Sequence, residues 1–328
     1  MASSILHPSA RPRVLVVGAG ISGIACARAL HDAGVPVRVV DRGRRPGGRM
    51  SGRTLHGRVV DLGASYFTAP AESAFADVVA RWEEKGLARP WTDTFAVLGT
   101  GEHAEHTTSG PMRYAAPLGI RSLVVDLGEA LGVEPEHDVA DVLENGTAGG
   151  ERYDTVVLAM PDPQAARMLG PASPLTARLD TEAWEPTIAV ALGFAQRVWR
   201  DDLHGAFVEG SPVLAFLADD GDRRGDQAPV LVAHTTAAFA REHLEAPGKA
   251  IGAVTAEVNA LLGLDPDIRP IWTHAHRWTF ARSTATHPES FALHERIGVC
   301  GDAWGGRSSV ATAWASGDAL GREIASRR

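Results

Sequence analysis

Three glycines near the start of the chain, Gly18, Gly20 and Gly23, stand at the G-x-G-x-x-G spacing, and Asp41 follows about 20 residues on. This combination suits one kind of chemistry, the grip on a dinucleotide. The first glycine permits a tight turn, the second lets the backbone approach a pyrophosphate, and the third lets a helix pack close to the strand before it. The helix start, with Ile21 and Ser22 in its first turn, then offers free N–H groups to phosphate. Asp41, followed by Arg42, has the position and type to accept hydrogen bonds from a ribose diol. Three elements must place these groups: an apolar strand from Arg13 to Val17, a helix carrying Ile24, Ala25, Ala29 and Leu30, and a second strand from Val35 to Val40.

Two further stretches decide which dinucleotide. The loop Arg44-Arg45-Pro46-Gly47-Gly48-Arg49-Met50 stands where an NAD domain would continue into a helix, and it offers N–H groups and a guanidinium to a pyrophosphate. Its other reading is a solvated turn. Val60-Asp61-Leu62-Gly63-Ala64 follows. Near the other end, Gly301-Asp302 comes directly after the apolar run Ile297 to Cys300, where a carboxylate can bond a polyol such as ribityl. Val310 and Ala311 then open a helix whose positive end suits the N1 and O2 edge of a flavin. The expected cofactor is FAD, held non-covalently, since no cysteine stands in a motif for covalent attachment.

At this point the sequence resembles the two-dinucleotide-domain flavoproteins of the amine oxidase and p-hydroxybenzoate hydroxylase type, and within them the renalase-like proteins. Besides the FAD motifs, the resemblance rests on Asp61-Leu62-Gly63-Ala64-Ser65-Tyr66-Phe67-Thr68, Ala116 to Leu123, Val156 to Pro161, His234-Thr235-Thr236 and His276-Arg277-Trp278. It implies that Val139 lies in the strand meeting the adenine and that Met160 ends a strand of the dinucleotide domain. It also implies oxidation of 2- or 6-dihydro isomers of NAD(P)H to NAD(P)+, with O2 taking the electrons to give hydrogen peroxide. Tyr66, His234, Arg277 and Trp278 are then expected at the substrate, with Trp304 and Trp314 near the flavin edge. Each of these side chains also has a reading in which it only packs or pairs.

The residues weigh on the choice of donor. Amine oxidases of the superfamily commonly set a lysine near flavin N5 and an aromatic cage around the amine. This chain has two lysines, Lys85 and Lys249, neither in a flavin motif, and three tyrosines, Tyr66, Tyr114 and Tyr153. A dihydropyridine needs no base, because its ring nitrogen is already substituted; it needs a flat slot and hydrogen bonds to a carboxamide. An amine or small-metabolite oxidase or dehydrogenase is the second reading, and a catalytically inactive flavin-binding protein the third. His274 and His276 share a strand face, but nothing completes a metal set, so no metal is expected.

The expected fold class is α/β. A Rossmann-type FAD-binding domain is assembled from 1–65, 119–163 and 293–328, and an α+β substrate domain built on an antiparallel sheet takes 66–118 and 164–292. Expected elements of the first are a helix from Ile120 to Leu131 and a hairpin of Val139 to Glu144 with Tyr153 to Ala159. The second has strands at Thr187 to Phe194, Val213 to Leu217, Val230 to Thr235 and Arg269 to Thr279, with helices at Glu72 to Lys85 and Lys249 to Leu262. The charged run Asp219 to Asp226 reads as a solvated loop. Glu102, His103, Glu105 and His106 read as a polar hairpin or loop.

With 328 residues, 45% hydrophobic and 22% charged, the chain has the composition of an ordinary soluble protein large enough for two lobes. A net charge of -8 argues against nucleic acid as partner. The expected partners are a small dinucleotide substrate and O2, with no membrane, in a monomer or weak homodimer. Cys26 and Cys300 read as buried thiols. Residues 1 to 12 lack the apolar stretch of a signal peptide, so the cytoplasm is the expected location.

Overall fold

The computed structural model describes residues 13–99 and 105–327. In chain order, β1 (Val14–Val17), α1 (Ile21–Asp32) and β2 (Val37–Val40) come first, followed by β3 (Gly52–Leu55), β4 (Arg58–Asp61) and α2 (Ala74–Glu84). Next are β5 (Arg89–Gly99), β6 (His106–Ala115), α3 (Arg121–Leu127), β7 (Thr147–Ala148), β8 (Glu151–Arg152), β9 (Thr155–Ala159) and α4 (Asp162–Leu169). The chain continues with β10 (Trp184–Gly193), β11 (Gly205–Glu209), β12 (Leu214–Asp219), α5 (Asp220–Arg224), β13 (Val230–Thr235), α6 (Ala237–His243) and α7 (Ile251–Leu261). It ends with β14 (Trp272–Ser283), β15 (Ala292–His294), β16 (Ile297–Cys300) and α8 (Val310–Ser326). No helix among the described residues is long and apolar enough to cross a membrane.

Two compact units result. The first comprises residues up to Gly48, Val124–Glu182 and those from Ala285 onward; the second comprises Arg49–Leu123 and Ala183–Thr284. The first unit is a Rossmann-like sheet in the order β15-β16-β9-β1-β2, parallel except for the β15–β16 pair. β1 pairs on both edges and all four of its residues are buried, which is why it reads as an unbroken apolar run. α8 lies close against α1. A Cβ on Gly317 would come within 1.9 Å of the Ser22 carbonyl oxygen, and one on Gly321 within 2.5 Å of that of Cys26.

The second unit is a seven-stranded sheet in the order β14-β10-β13-β12-β11-β5-β6. It is mixed and not purely antiparallel, because β11 pairs in parallel with β5. The polar stretch at Glu105 and His106 leads into β6, which forms a hairpin with β5; Glu102 and His103 lie outside the described residues. Alternation divides the sheet's side chains between two faces. Ile188, Val190, Leu192, Leu231 and Ala233 pack with Val254 and Val258 of α7 and Ala240 of α6. Ala189, Ala191, Val230 and Val232 pack with Val60 and Leu62 at the end of the β3–β4 hairpin, and Trp272 and Trp278 join them.

Several expectations need correction. Val139 to Glu144 is not a strand: Val142 makes an isolated antiparallel bridge with Ala148 and donates its N–H to the Met168 carbonyl, and the extended pairing beside it is the short β7–β8 hairpin. Glu134, bridged to Val40, already occupies the sheet edge beside β2. α3 ends at Leu127, directly before Gly128. The charged run Asp219 to Asp226 is no solvated loop: it forms α5, in which Asp220, Gly221, Arg223 and Arg224 are buried.

The seams between units also fall elsewhere. Residues 49–65 belong to the second unit because Val60 and Leu62 join its core, and 119–123 because the Ile120 N–H binds the Asp61 carboxylate. Residues 164–182 belong to the first, tied by the Met168 carbonyl to the Val142 N–H at 3.0 Å and by Asp180 N–H to Asp162 at 3.0 Å. His287 donates its N–H to Ala303, which draws 285–292 into the same unit.

Candidate active site

In the first unit, the candidate site lies where β1, β9 and β16 end side by side. Gly18 turns with φ of 109°, and a Cβ there would lie 2.5 Å from the Ala159 carbonyl oxygen. A Cβ on Gly23 would lie 1.9 Å from the Gly18 carbonyl oxygen, so the strand-to-helix turn closes only with glycine. Gly20 is the N-cap of α1 and provides no side-chain cap, so the positive helix end is left to a ligand. A Cβ on Gly48 would stand 3.2 Å from Gly20 Cα, so the second glycine-rich loop faces the first across bare backbone. Ile21 and Ser22 are buried in the first turn, and Arg42 is exposed. These features fit the pyrophosphate of a dinucleotide.

Asp41 holds the cradle in shape. Its carboxylate accepts the Ala19 N–H at 2.7 Å and the Gly43 N–H at 2.6 Å. At the far strand, Asp302 is buried just beyond β16 and accepts a hydrogen bond from the Ser308 hydroxyl. Met160 follows β9, and its carbonyl lies beside Gly301. Val310 and Ala311 open α8, whose N-terminus differs from that of α1 in having a cap: Ser309 Oγ accepts the Thr312 N–H at 3.0 Å. Val139 is buried within an irregular segment. Trp304 is fully buried, donates to Asp162 at 3.2 Å and stacks on His287 at 3.7 Å, while His287 binds Asp162 at 2.6 Å. Trp314 is buried in α8.

The second unit carries His234 and Trp278 on one face of its sheet. In the register, Ala189 of β10 stands between His234 of β13 and His276 of β14, so both imidazoles share that face. The Leu62 carbonyl anchors the group: the Trp278 indole donates to it at 2.7 Å, and the same peptide lies near the His234 ring. Nε2 of His234 is buried and has no partner, and with the ring proton on Nδ1 it is an acceptor. Phe216 lies 6.0 Å from the His234 ring and 6.0 Å from the Tyr66 ring, which also meets Phe95 edge-on at 5.3 Å. The ring of His276 stands 4.5 Å from that of Trp278.

Burial, reinforced by the positive charge of Arg223, pushes the pKa of His234 down to about 4. Burial, with Arg53 and His274 adding to it, does the same for His276, again to about 4. The wall therefore presents aromatic rings and uncharged imidazoles at neutral pH.

Tyr66, His234 and Trp278 are thus brought together, whereas Arg277 is not. Arg277 pairs with Ile188 in the register, on the opposite face of β14 from Trp278, and donates to the Leu244 carbonyl at 2.9 Å. Neighbouring residues of a strand point to opposite sides, so Arg277 and Trp278 cannot both line the wall. Asp61 also has a different task from cofactor binding: it accepts the Ile120 N–H and pairs with Arg224 at 2.9 Å. Arg49 donates to the Ala281 carbonyl and lies 5.4 Å from the Trp184 ring centre. Gly63 lets its chain pass the Arg49 carbonyl, where a Cβ would be 1.9 Å away; Ala64 N–H binds that carbonyl, and Met50 is buried.

Sequence reasoning missed Phe216 and α5. Phe216 left a signal, as an alternate position in the run Val213 to Leu217. The charges of α5 left none, because only their partners across the fold distinguish buried charges from solvated ones.

Comparison with known proteins agrees with this geometry. A family model described as an NAD(P)-binding Rossmann-like domain matches residues 16–82, and one described as a flavin containing amine oxidoreductase matches residues 116–323. Renalase from Mus musculus is 26% identical over 326 residues, covering 88% of this chain and 92% of that protein. Polyamine oxidase 1 from Oryza sativa subsp. japonica is 40% identical over 117 residues, 31% of this chain and 23% of that protein. A structure of putrescine oxidase with putrescine bound superposes with a TM-score of 0.76 at 17% identity, over 98% of this chain and 100% of that one. Cyclohexylamine oxidase from Brevibacterium oxydans gives 0.74 at 14% identity, over 96% and 98% of the two chains. At such identities the structural likeness is one of fold.

Proposed function

Because the chain belongs to the flavin-containing amine oxidoreductase family, with FAD as its cofactor, we propose that it is an oxidase whose small organic substrate docks on the wall of Tyr66, Phe216, His234 and Trp278. O2 is the final acceptor and hydrogen peroxide the product. The observation that carries this reading is Nε2 of His234, a buried acceptor without a partner, set among aromatic rings and held neutral. A buried polar atom left unpaired is costly, and a substrate N–H relieves it.

FAD, when bound, supplies the group that accepts a hydride. The residues fit it: Gly18, Gly20, Gly23 and Gly48 with the uncapped start of α1 would hold the pyrophosphate, and Asp41 and Asp302 would meet its hydroxyl groups. Trp278 offers a flat surface fixed by its own hydrogen bond, and His234 orients an N–H toward it. Neutral imidazoles do not repel a cationic donor before it sheds its proton.

An amine or other small metabolite is the donor that the family match favours. It would be handled without a lysine, since Lys85 and Lys249 are exposed, one at the end of α2 and the other just before α7. The 2- and 6-dihydro isomers of NAD(P)H form a second reading. It is favoured by the similarity to renalase over most of both chains and by a wall whose imidazoles accept a carboxamide N–H.

Anaerobic stopped-flow with purified holoenzyme tests both, using a panel of amines and the separated 2-, 4- and 6-dihydro isomers. Bleaching of the flavin band by amines alone selects the first donor. Bleaching by a 2- or 6-dihydro isomer but not by the 4-dihydro form selects the second, and no bleaching by either group removes the proposal. With the active donor, His234→Ala should slow reduction about 10- to 100-fold at unchanged FAD content, a hydrogen bond's worth, and His234→Gln should recover part of the loss.

A further inference from the structure

The wall hangs from the segment Asp61 to Tyr66, and that segment is itself gripped from below by α5. Arg223, 1% exposed, donates to the Ser65 carbonyl at 2.8 Å and reaches the Asp61 carbonyl at 3.5 Å. These two peptide planes flank the wall's anchors: the Asp61 carbonyl belongs to the peptide leading into Leu62, and the Ser65 carbonyl to the peptide leading into Tyr66. Asp220 binds Arg223 directly, and it also holds Arg58 at 2.7 Å and Arg224 at 3.1 Å. Asp219 caps the helix by accepting the Asp222 N–H at 2.9 Å. The planar fork of an arginine can bond a carboxylate and backbone carbonyls at once, which a lysine cannot do in the same geometry.

We propose that Arg223 is a positioning residue, whose guanidinium fixes the Leu62 carbonyl and the Tyr66 ring and thereby sets the spacing of the substrate wall. It touches neither substrate nor cofactor. The proposal rests on the wall being the docking surface of the oxidase, so its test includes a measurement that needs no substrate.

The experiment compares wild type, Arg223→Lys and Arg223→Met as FAD-loaded proteins. Two quantities are read: the emission of Trp278, obtained by difference against Trp278→Phe in each background, and kcat and KM for flavin reduction by the active donor. The expected result is a shifted Trp278 emission with KM raised about tenfold or more in Arg223→Met, a weaker effect in Arg223→Lys, and unaltered FAD content. A purely structural role would lower Tm without raising KM well below the melting range. Should Arg223→Met fail to fold, Arg223→Lys carries the comparison. Unchanged Trp278 emission overturns the proposal whatever the donors do, and so does a shifted emission with wild-type KM. If no donor reduces the wild type, the proposed function fails, and the emission alone decides the role of Arg223.

Discussion

At the strand ends of the first unit, recognition is the work of backbone. Gly18, Gly20, Gly23 and Gly48 remove side chains so that N–H groups and a helix end can face a ligand, and the one acid beside them, Asp41, holds the loop in shape. On the wall proposed in the second unit the groups offered to a substrate are side chains, and the backbone they hang from is held by buried charges of α5. The first arrangement is local: strand, turn and helix lie within about ten residues and are right or wrong together. The second joins four separate stretches of chain, so it depends on the packing of the whole unit.

The contrast can be broken at its stiffest point. Gly23→Val puts carbon against the Gly18 carbonyl, where even a Cβ comes within 1.9 Å. It should purify without flavin or fail to accumulate; a yellow protein with normal FAD content would show that the turn tolerates what the geometry forbids. Asp220→Ala tests the other region. It leaves Arg58, Arg223 and Arg224 without their shared carboxylate, and removing one partner of a buried pair costs about 3–5 kcal/mol. An early urea transition should appear, and wild-type stability would mean that α5 does not support the wall.

Acid should sharpen the distinction between the regions. His234 and His276 have pKa values pushed down to about 4, against an ordinary 6.5 in an unfolded chain. Between those values the unfolded state binds more protons, so stability is complete above about 6.5 and is lost as pH falls toward 4. Thermal melts should show Tm dropping by several degrees over that window, and His234→Phe should flatten the slope. An unaltered slope in the variant would remove His234 from the titrating set.

The smallest effect is expected at Arg277. Its partner Glu245 is 96% exposed, and exposed pairs contribute about 0–1 kcal/mol. Arg277→Ala should leave flavin reduction at wild-type rates, while Trp278→Phe, one residue away, should slow it. Equal losses in both variants would place Arg277 at the substrate after all.

The readable part of the site was the part built from neighbours in sequence. Gly18 to Gly23 with Asp41, and Gly301 with Asp302, stood out as candidates through spacing alone. Tyr66, His234 and Trp278 were identifiable as candidates, but the placing of His234 and Trp278 on one sheet face was not, because it depends on the register of β10 with β13 and β14. Arg277 shows the risk of reading a motif as a unit: adjacent letters in a strand face opposite ways. The run Asp219 to Asp226 shows the same for charge, since identical letters serve a solvated loop and a buried helix.

By itself, then, the amino-acid sequence determined the dinucleotide-binding end and the flavin, because glycine spacing and the alternation of apolar strands and helices act over short range. Only the tertiary structure decided which face of β14 carries Trp278 beside His234, why Asp61 serves Arg224 and Ile120, and how that segment is held. Those outcomes depend on contacts between residues far apart in the chain, from 59 positions for Asp61 and Ile120 to 216 for Leu62 and Trp278, where burial and partner geometry, not residue type, decide whether a charge or a ring acts or merely packs.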